Sequence, residues 1–328
     1  MQNEKGSRKI YFHIGKSKTG TTFLQKEVFP ILHSVQYIEK PKSDLVTGKY
    51  PWDGILNRFF QSSPAVWRDL DQELFTELSD GMDQFVAGDR DVLISDENVC
   101  DHAGPVFAGR HLSEFVDLVG EWGFDRVGIL CSVRQQATRL ASGYAQVSDR
   151  CVGASQFDFE EDTRRRIGAG YYKEGIHFDY DLLRQKLVEV VGEENVLMLP
   201  YELMKEDLRD FLGRWFNFLG RPREGEQIIE RLEESDAKAR NVRSSSEKTW
   251  GLRDRTLRGA NTIRLRPVGV FARLGFPTEI ALRWPDFERE DEIRLTPQLE
   301  QEIMSTYEES NRAFAKAIDM DLGRYDYY

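Results

Sequence analysis

Arg8-Lys-Ile-Tyr-Phe-His-Ile-Gly-Lys-Ser-Lys-Thr-Gly-Thr-Thr-Phe-Leu-Gln25 is the stretch whose reading decides the fold. Ile10, Tyr11, Phe12 and Ile14 are the β-branched and aromatic residues of a buried strand. Gly15 and Gly20 bracket a short polar loop, and Thr21 to Gln25 opens a helix. A strand–loop–helix of this kind aims backbone N–H groups and the positive end of a helix dipole at one point, which makes an anion site.

The spacing is close to a nucleotide P-loop, and its departure is informative. That pattern wants glycine, four residues, glycine, then lysine and a hydroxyl residue. Gly15 and Gly20 fit, but Thr21 stands where the lysine belongs, and the cations lie earlier, at Lys16 and Lys18. A site for the β,γ-phosphates of a nucleotide with Mg²⁺ would want its lysine after the second glycine. Lys18-Thr-Gly-Thr-Thr22 resembles instead the 5′-phosphosulfate loop of sulfotransferases, in which Lys-Ser/Thr-Gly-Thr-Thr follows the first strand.

A second cluster lies in Val133-Arg-Gln-Gln-Ala-Thr-Arg-Leu-Ala-Ser-Gly-Tyr144. Arg134 ends a strand, at the edge where open α/β sheets bind ligands. An arginine fork with a hydroxyl suits a phosphate monoester. The segment resembles the 3′-phosphate motif of the same family, with an arginine at a strand end, a serine (Ser142) eight residues later and a tyrosine (Tyr144) close behind. The Asn-Pro or Asp-Pro that often follows that arginine is replaced by Gln135-Gln136, which leaves the geometry of the turn open. Arg139 reads equally well as a solvated charge on the helix face. Pro200-Tyr-Glu-Leu-Met-Lys-Glu-Asp207 and Phe218-Leu-Gly-Arg-Pro222 are weaker likenesses to the family, and together the motifs span residues 8–235.

The resemblance implies 3′-phosphoadenosine 5′-phosphosulfate (PAPS) as donor, its bisphosphate (PAP) as product, and no required metal. It implies donor contacts from Lys16, Ser17, Lys18, Thr19, Gly20, Thr21, Thr22, Arg134 and Ser142, and from a basic loop that includes Asn241 and Arg243. Lys18 is then the cation at the oxygen that leaves sulfur. Glu97, at the end of Ile94-Ser-Asp-Glu-Asn98, is the expected base, with Glu39 and His102 as rivals; a surface acid remains an equal reading of Glu97. The implied acceptor is a hydroxyl, with a saccharide as the expected class.

Outward from these motifs, strands at 35–38, 91–95, 126–134 and 195–200 alternate with helices at 69–86, 109–122, 136–147, 180–191, 208–219 and 226–232. The strands are nearly continuously apolar, so the expectation is a parallel sheet covered on both faces. The fold class is therefore α/β: a P-loop-like three-layer sandwich with a central parallel sheet and a helical C-terminal extension, in which Thr296-Pro297 opens a long helix through Ala317. The expected division is a donor-binding core over 1–235, and a basic loop with the helical extension over 236–328, packed on the same domain.

Composition sets the outer limits. The 328 residues are 40% hydrophobic and 31% charged, with a net charge of −11. That balance suits a globular enzyme and argues against a general binder of nucleic acid or anionic membranes. Cys100, Cys131 and Cys151 form no CxxC pair, and Cys131 sits in an apolar run as a core thiol. An odd cysteine count, an N-terminus without an apolar signal core and the lack of a spanning apolar stretch make a soluble, cytoplasmic protein the expectation.

Two stretches stay open. Between Lys238 and Arg273 the chain carries ten Lys and Arg against Glu247 and Asp254, read either as a solvated basic helix or as a loop that closes over the 3′-phosphate. Tyr50, Trp52, Phe59, Phe60 and Trp67 read as core or as stacking rings for a sugar or an adenine. Two rival functions also stand. Asp96 ends its strand as metal-binding acids do in nucleotide hydrolases, which with Thr22 favours an ATP–Mg²⁺ kinase; a non-catalytic nucleotide-binding protein would keep the cradle without chemistry.

Overall fold

Five strands make one parallel sheet: β1 (Lys9–His13), β2 (Val35–Ile38), β3 (Asp91–Ser95), β4 (Arg126–Val133) and β5 (Val196–Pro200), in the order β2-β3-β1-β4-β5. The computed structural model describes residues 8–15, 18–38, 90–95, 112–148, 154–168, 178–234, 248–251, 262–265, 280–283 and 292–328, with 262–265 and 280–283 as backbone. β1 is central, with Phe12 opposite Ile94 of β3 and Ile129 of β4. All five strands run the same way, so His13, Ser95, Val133 and Pro200 reach one edge.

Alternation along β1 sorts the two faces. Ile10, Phe12 and Ile14 join Val92, Ile94 and Ile129 on one side, under α2 (Leu112–Glu121) and α5 (Tyr180–Val191) and against Phe314, Leu322 and Tyr327. Tyr11 joins Leu93 and Leu130 on the other, under α6 (Tyr201–Glu206), α7 (Leu208–Phe218) and α8 (Pro222–Glu234). This second layer also holds the helical run after β1, which starts as α1 (Thr21–Phe23), widens to a π turn over Leu24–Val28 and tightens to 3₁₀ over Phe29–Ile31. The expected three-layer sandwich is therefore present, and Cys131 is buried in it.

The described residues divide into two units. The first comprises Met1–Gln136, Arg166–Val242 and Ile303–Tyr328, and it contains the sheet. The second comprises Ala137–Arg165 and Arg243–Glu302. It takes most of α3 (Gln136–Ser148) and α4 (Gln156–Gly168), and two antiparallel pairs: β6 (Thr249–Gly251) with β9 (Glu292–Arg294), and β7 (Thr262–Leu265) with β8 (Ile280–Arg283). Trp250 is its buried centre, edge-on to Phe159 at 5.1 Å and 6.1 Å from the ring of Tyr144. Gln156 clamps β9 by donating to the Arg294 carbonyl and accepting its N–H, both at 2.9 Å. The final helix α9 (Pro297–Ala317) begins where the sequence places it, with the Leu299 N–H donating to Thr296 Oγ1 at 3.2 Å.

Two stretches differ from expectation. α4 carries no apolar stripe that the sequence betrays, because Phe159 and Thr163 are its buried residues and most of the rest are charged. The basic segment, read as a helix or a loop, contains strands at Thr249–Gly251 and Thr262–Leu265, where Thr249, Trp250, Thr262 and Ile263 suit extended backbone.

α7 and α8 meet across a glycine. A Cβ on Gly225 would lie 2.3 Å from Phe216 Cγ and 2.4 Å from its Cβ. Gly225→Ala should therefore destabilise the fold by about 1–3 kcal/mol through overpacking, against a helix-propensity gain of under about 1 kcal/mol; urea unfolding of the variant measures the balance.

Candidate functional site

The loop after β1 is built by backbone crowding. The Ile14 N–H still donates to Leu130 O at 2.9 Å, so the chain stays on β4 past the strand's end. At Gly15 a side chain is barred, because a Cβ would sit 2.8 Å from His13 Nε2 and 3.2 Å from the Ser132 backbone nitrogen. Lys18 and Gly20 then take left-handed conformations, with φ of 73° and 82°, on either side of the fully buried Thr19. The Gly20 carbonyl accepts from Phe23 N (2.9 Å) and Leu24 N (3.2 Å), which starts the helix; Thr21 is buried and Thr22 half-buried. Gly20 suits this φ, and a Cβ there would also press on the end of Met204, 2.6 Å from its Sδ, and lie 3.3 Å from the Tyr201 ring.

Arg134 closes this loop from the end of β4. It is 6% exposed, its Nη1 donates to Lys18 O at 3.1 Å, and its guanidinium lies 5.2 Å from the centre of the Tyr201 ring. The turn behind it is heavily tied. Tyr180 Oη donates to the Arg134 carbonyl, and the Gln135 N–H donates to Glu202 Oε1 at 3.1 Å. Gln136, fully buried, donates to Phe178 O at 2.8 Å and exchanges amide bonds with Asn311 at 2.7 and 3.1 Å. Glu202 is held above the usual carboxylate range by burial, opposed by its hydrogen bonds and by the charge of Arg134.

Beneath the loop sits a buried polar string. His13 is wholly inaccessible, edge-on to Phe29 and Trp215, and its Nδ1 shares a 2.8 Å hydrogen bond with Ser95 Oγ, which also accepts from Gln25 Nε2 at 3.0 Å. Among the described residues His13 Nε2 and Ser132 Oγ have no hydrogen-bond partner. Burial depresses the His13 pKa to about 3, so the ring is neutral.

The structure thus brings Lys18, Thr19, Gly20, Thr21 and Arg134 to one edge of the sheet. Ser142 lies midway along α3, half-buried, in the second unit. Tyr144, in the same unit, donates to Asp158 Oδ2 at 2.5 Å and packs on Phe159. Arg139 is buried, so the solvated helix-face reading fails. Lys16, Ser17, Glu39, Asp96, Glu97, His102, Asn241, Arg243 and the rings between Tyr50 and Trp67 lie outside the described residues. Tyr201, Met204 and Glu202 also border the site, within the stretch Pro200–Asp207 that resembles the family; no local pattern separates them from its other residues. Among the described residues no helix is long and apolar enough to cross a membrane.

No protein-family model matches the chain, and no curated protein matches it. A solved structure does: the crystal structure of a sulfotransferase from Alicyclobacillus acidocaldarius aligns over 98% of this chain and 99% of that one, with a TM-score of 0.52 at 15% identity. The fold is that of a sulfotransferase. The sulfotransferase domain from the Synechococcus PCC 7002 olefin synthase aligns over 98% of each chain at a TM-score of 0.42 and 14% identity. The sulfotransferase domain from the curacin biosynthetic pathway gives 0.36 and 12%, over 96% of this chain and 98% of that one. Both scores are too low to weigh. Within the sulfotransferase fold the loop and Arg134 occupy the carboxyl edge of adjacent strands, where α/β sheets bind ligands.

The neutral His13 gives the fold an acid sensitivity with a definite sign. Between about pH 6.5 and 3 the unfolded chain binds a proton that the folded imidazole refuses, so stability falls as pH drops through that window. His13→Gln removes this term. The stability gap between wild type and variant, from urea unfolding, should shrink by about 2 kcal/mol between pH 7 and pH 5.

Proposed function

We propose that this chain is a PAPS-dependent sulfotransferase, moving a sulfuryl group from donor to an acceptor hydroxyl, on a carbohydrate or glycan. The observation that carries the reading is Lys18. A lysine held at φ 73° is strained by about 1 kcal/mol where a glycine would be at ease, and its carbonyl is fixed by Arg134. Strain of that kind is kept when the side chain is needed. A lysine before the second glycine, with a threonine after it, suits a 5′-phosphosulfate better than a triphosphate with Mg²⁺.

In this reading the amides of Thr19 to Thr22, with Lys16 and Ser17, take the 5′-phosphate. Arg134 and Ser142, with Asn241 and Arg243, take the 3′-phosphate. The crowding at Gly15 and Gly20 fits such a cradle, because backbone rather than side chain is presented to the ligand. PAPS supplies a sulfuryl group already activated as an anhydride with phosphate. The acceptor hydroxyl gives its proton to a base, Glu97 in this assignment. Its oxygen bonds to sulfur as the bond from sulfur to the 5′-phosphate oxygen breaks, and Lys18 stabilises the charge that oxygen gains. No resident metal is assigned a role. Three cysteines without a CxxC pair agree with a cytoplasmic location.

Calorimetric titration with adenosine 3′,5′-bisphosphate in EDTA, beside ATP with Mg²⁺, tests the donor class. The bisphosphate should bind without metal, and Arg134→Ala should weaken it about 10- to 100-fold, as expected for a lost charged contact. Binding of ATP–Mg²⁺ alone would make the protein a kinase.

Lys18→Ala, assayed with PAPS over a panel of sugar acceptors, separates the lysine's role. Turnover should drop about 10²- to 10³-fold with bisphosphate affinity changed far less. Donor binding without turnover on any acceptor in the wild type would leave a nucleotide-binding protein.

A further inference from the structure

Ser95, the last residue of β3, holds both flanks of the anion loop through its hydroxyl. Its Oγ lies 2.8 Å from Nδ1 of His13, which precedes Gly15, and 3.0 Å from Nε2 of Gln25, which follows Gly20. Gln25 Nε2 also lies 3.4 Å from Ser95 O, and a carbonyl only accepts, so the NH₂ end of the amide faces β3. The Ser95 hydroxyl therefore accepts from Gln25. Among the described residues its own proton has His13 Nδ1 as acceptor. The imidazole can take that proton because burial keeps the ring neutral. One hydroxyl thus links the residue before the loop to the residue after it.

Sheet packing does not ask for a hydroxyl here. Val92, Leu93 and Ile94 are apolar and buried, and Ser95 is itself 2% exposed, so its Oγ serves neither solvent nor the core. A β-branched apolar residue would suit the strand as well. Gln25 reaches β3 from the π turn over Leu24–Val28, a widened turn that recurs at functional sites. Between the two flanks lie the features that shape the cradle: left-handed Lys18 and Gly20, and the fully buried Thr19. A loop that presents backbone amides to an anion binds it more tightly when that shape is held before the ligand arrives.

We propose that Ser95 is a positioning residue of the anion loop: its hydroxyl staples His13 to Gln25 and so keeps the loop in the shape that receives the 5′-phosphate of the nucleotide. The inference rests on the donor reading above, in which this loop takes that phosphate. Ser95 is buried and acts through the loop, so it bears on the 5′-phosphate and not on the 3′-phosphate. A serine that merely held the fold together would bear on neither, or on both alike.

Calorimetry with adenosine 3′,5′-bisphosphate, adenosine 3′-monophosphate and adenosine 5′-monophosphate measures what each phosphate adds to affinity. The bisphosphate over the 3′-monophosphate gives the 5′ gain, and the bisphosphate over the 5′-monophosphate gives the 3′ gain. In Ser95→Ala the 5′ gain should shrink about tenfold with the 3′ gain unchanged. Gln25→Met cuts one flank at a half-buried position and should shrink the 5′ gain about threefold; should Ser95→Ala not fold, this variant decides alone. Ser310→Ala, which loses a 2.6 Å bond to Asp179 at the start of α5, should lower stability, leave both gains as they are, and serve as the control. A 5′ gain that stays unchanged, or both gains shrinking alike, would overturn the role of Ser95 while leaving the donor reading intact. A wild type in which the 5′-phosphate adds nothing would overturn both.

Discussion

The bond from Arg134 to the carbonyl of Lys18 joins the ends of two neighbouring strands, and the rest of the site is arranged around it. β1 and β4 lie side by side about 5 Å apart, and β4 runs on past the His13–Leu130 pair, so the loop that follows β1 lies against its last residues. At that spacing the two segments must either collide or be shaped to fit. Gly15 gives up its side chain to β4, Lys18 turns left-handed, and Gly20 lets the helix start against Tyr201 and Met204. The arginine then spans the gap with a charged donor. Burying a guanidinium is costly unless its partners are good ones. The carbonyl of Lys18 and the face of Tyr201 are two such partners.

Much of this was legible in the sequence, and the reason lies in the kinds of residue involved. Gly15 meets the backbone of β4 and Gly20 takes a left-handed turn, both of which favour glycine, so the spacing of the loop states its geometry. Arg134 could be placed because an apolar run ends at it, and strand ends are where a parallel sheet meets its ligands. The sheet was legible for the same reason: continuous apolar strands between helical periods have few other folds to adopt.

What stayed hidden is held by partners far along the chain. Gln135 and Gln136 look like neutral polar residues standing where the family often has Asn-Pro or Asp-Pro. Both are buried, and their amides do by hydrogen bonding to Asp326 and Asn311 what a rigid proline turn could do alone. Nothing in the local pattern names a partner about 190 residues away. Trp250 was hidden differently: it lies amid basic residues, whose charge dominates the reading, although its ring is the buried centre of the second unit.

Neither unit is a continuous stretch of chain. The chain leaves the first unit at residue 136, returns at 166, leaves again at 242 and returns at 303. Residues 303–328 bring Phe314, Leu322 and Tyr327 to one face of the sheet, whose strands are all complete by Pro200. During synthesis the sheet therefore waits, with part of that face uncovered, for more than a hundred further residues. Contacts of such long sequence separation slow folding and prolong the exposure of apolar surface. A chain cut after residue 302 would keep every strand of the sheet and still present that surface to water, which makes such a fragment a candidate for aggregation rather than a minimal domain.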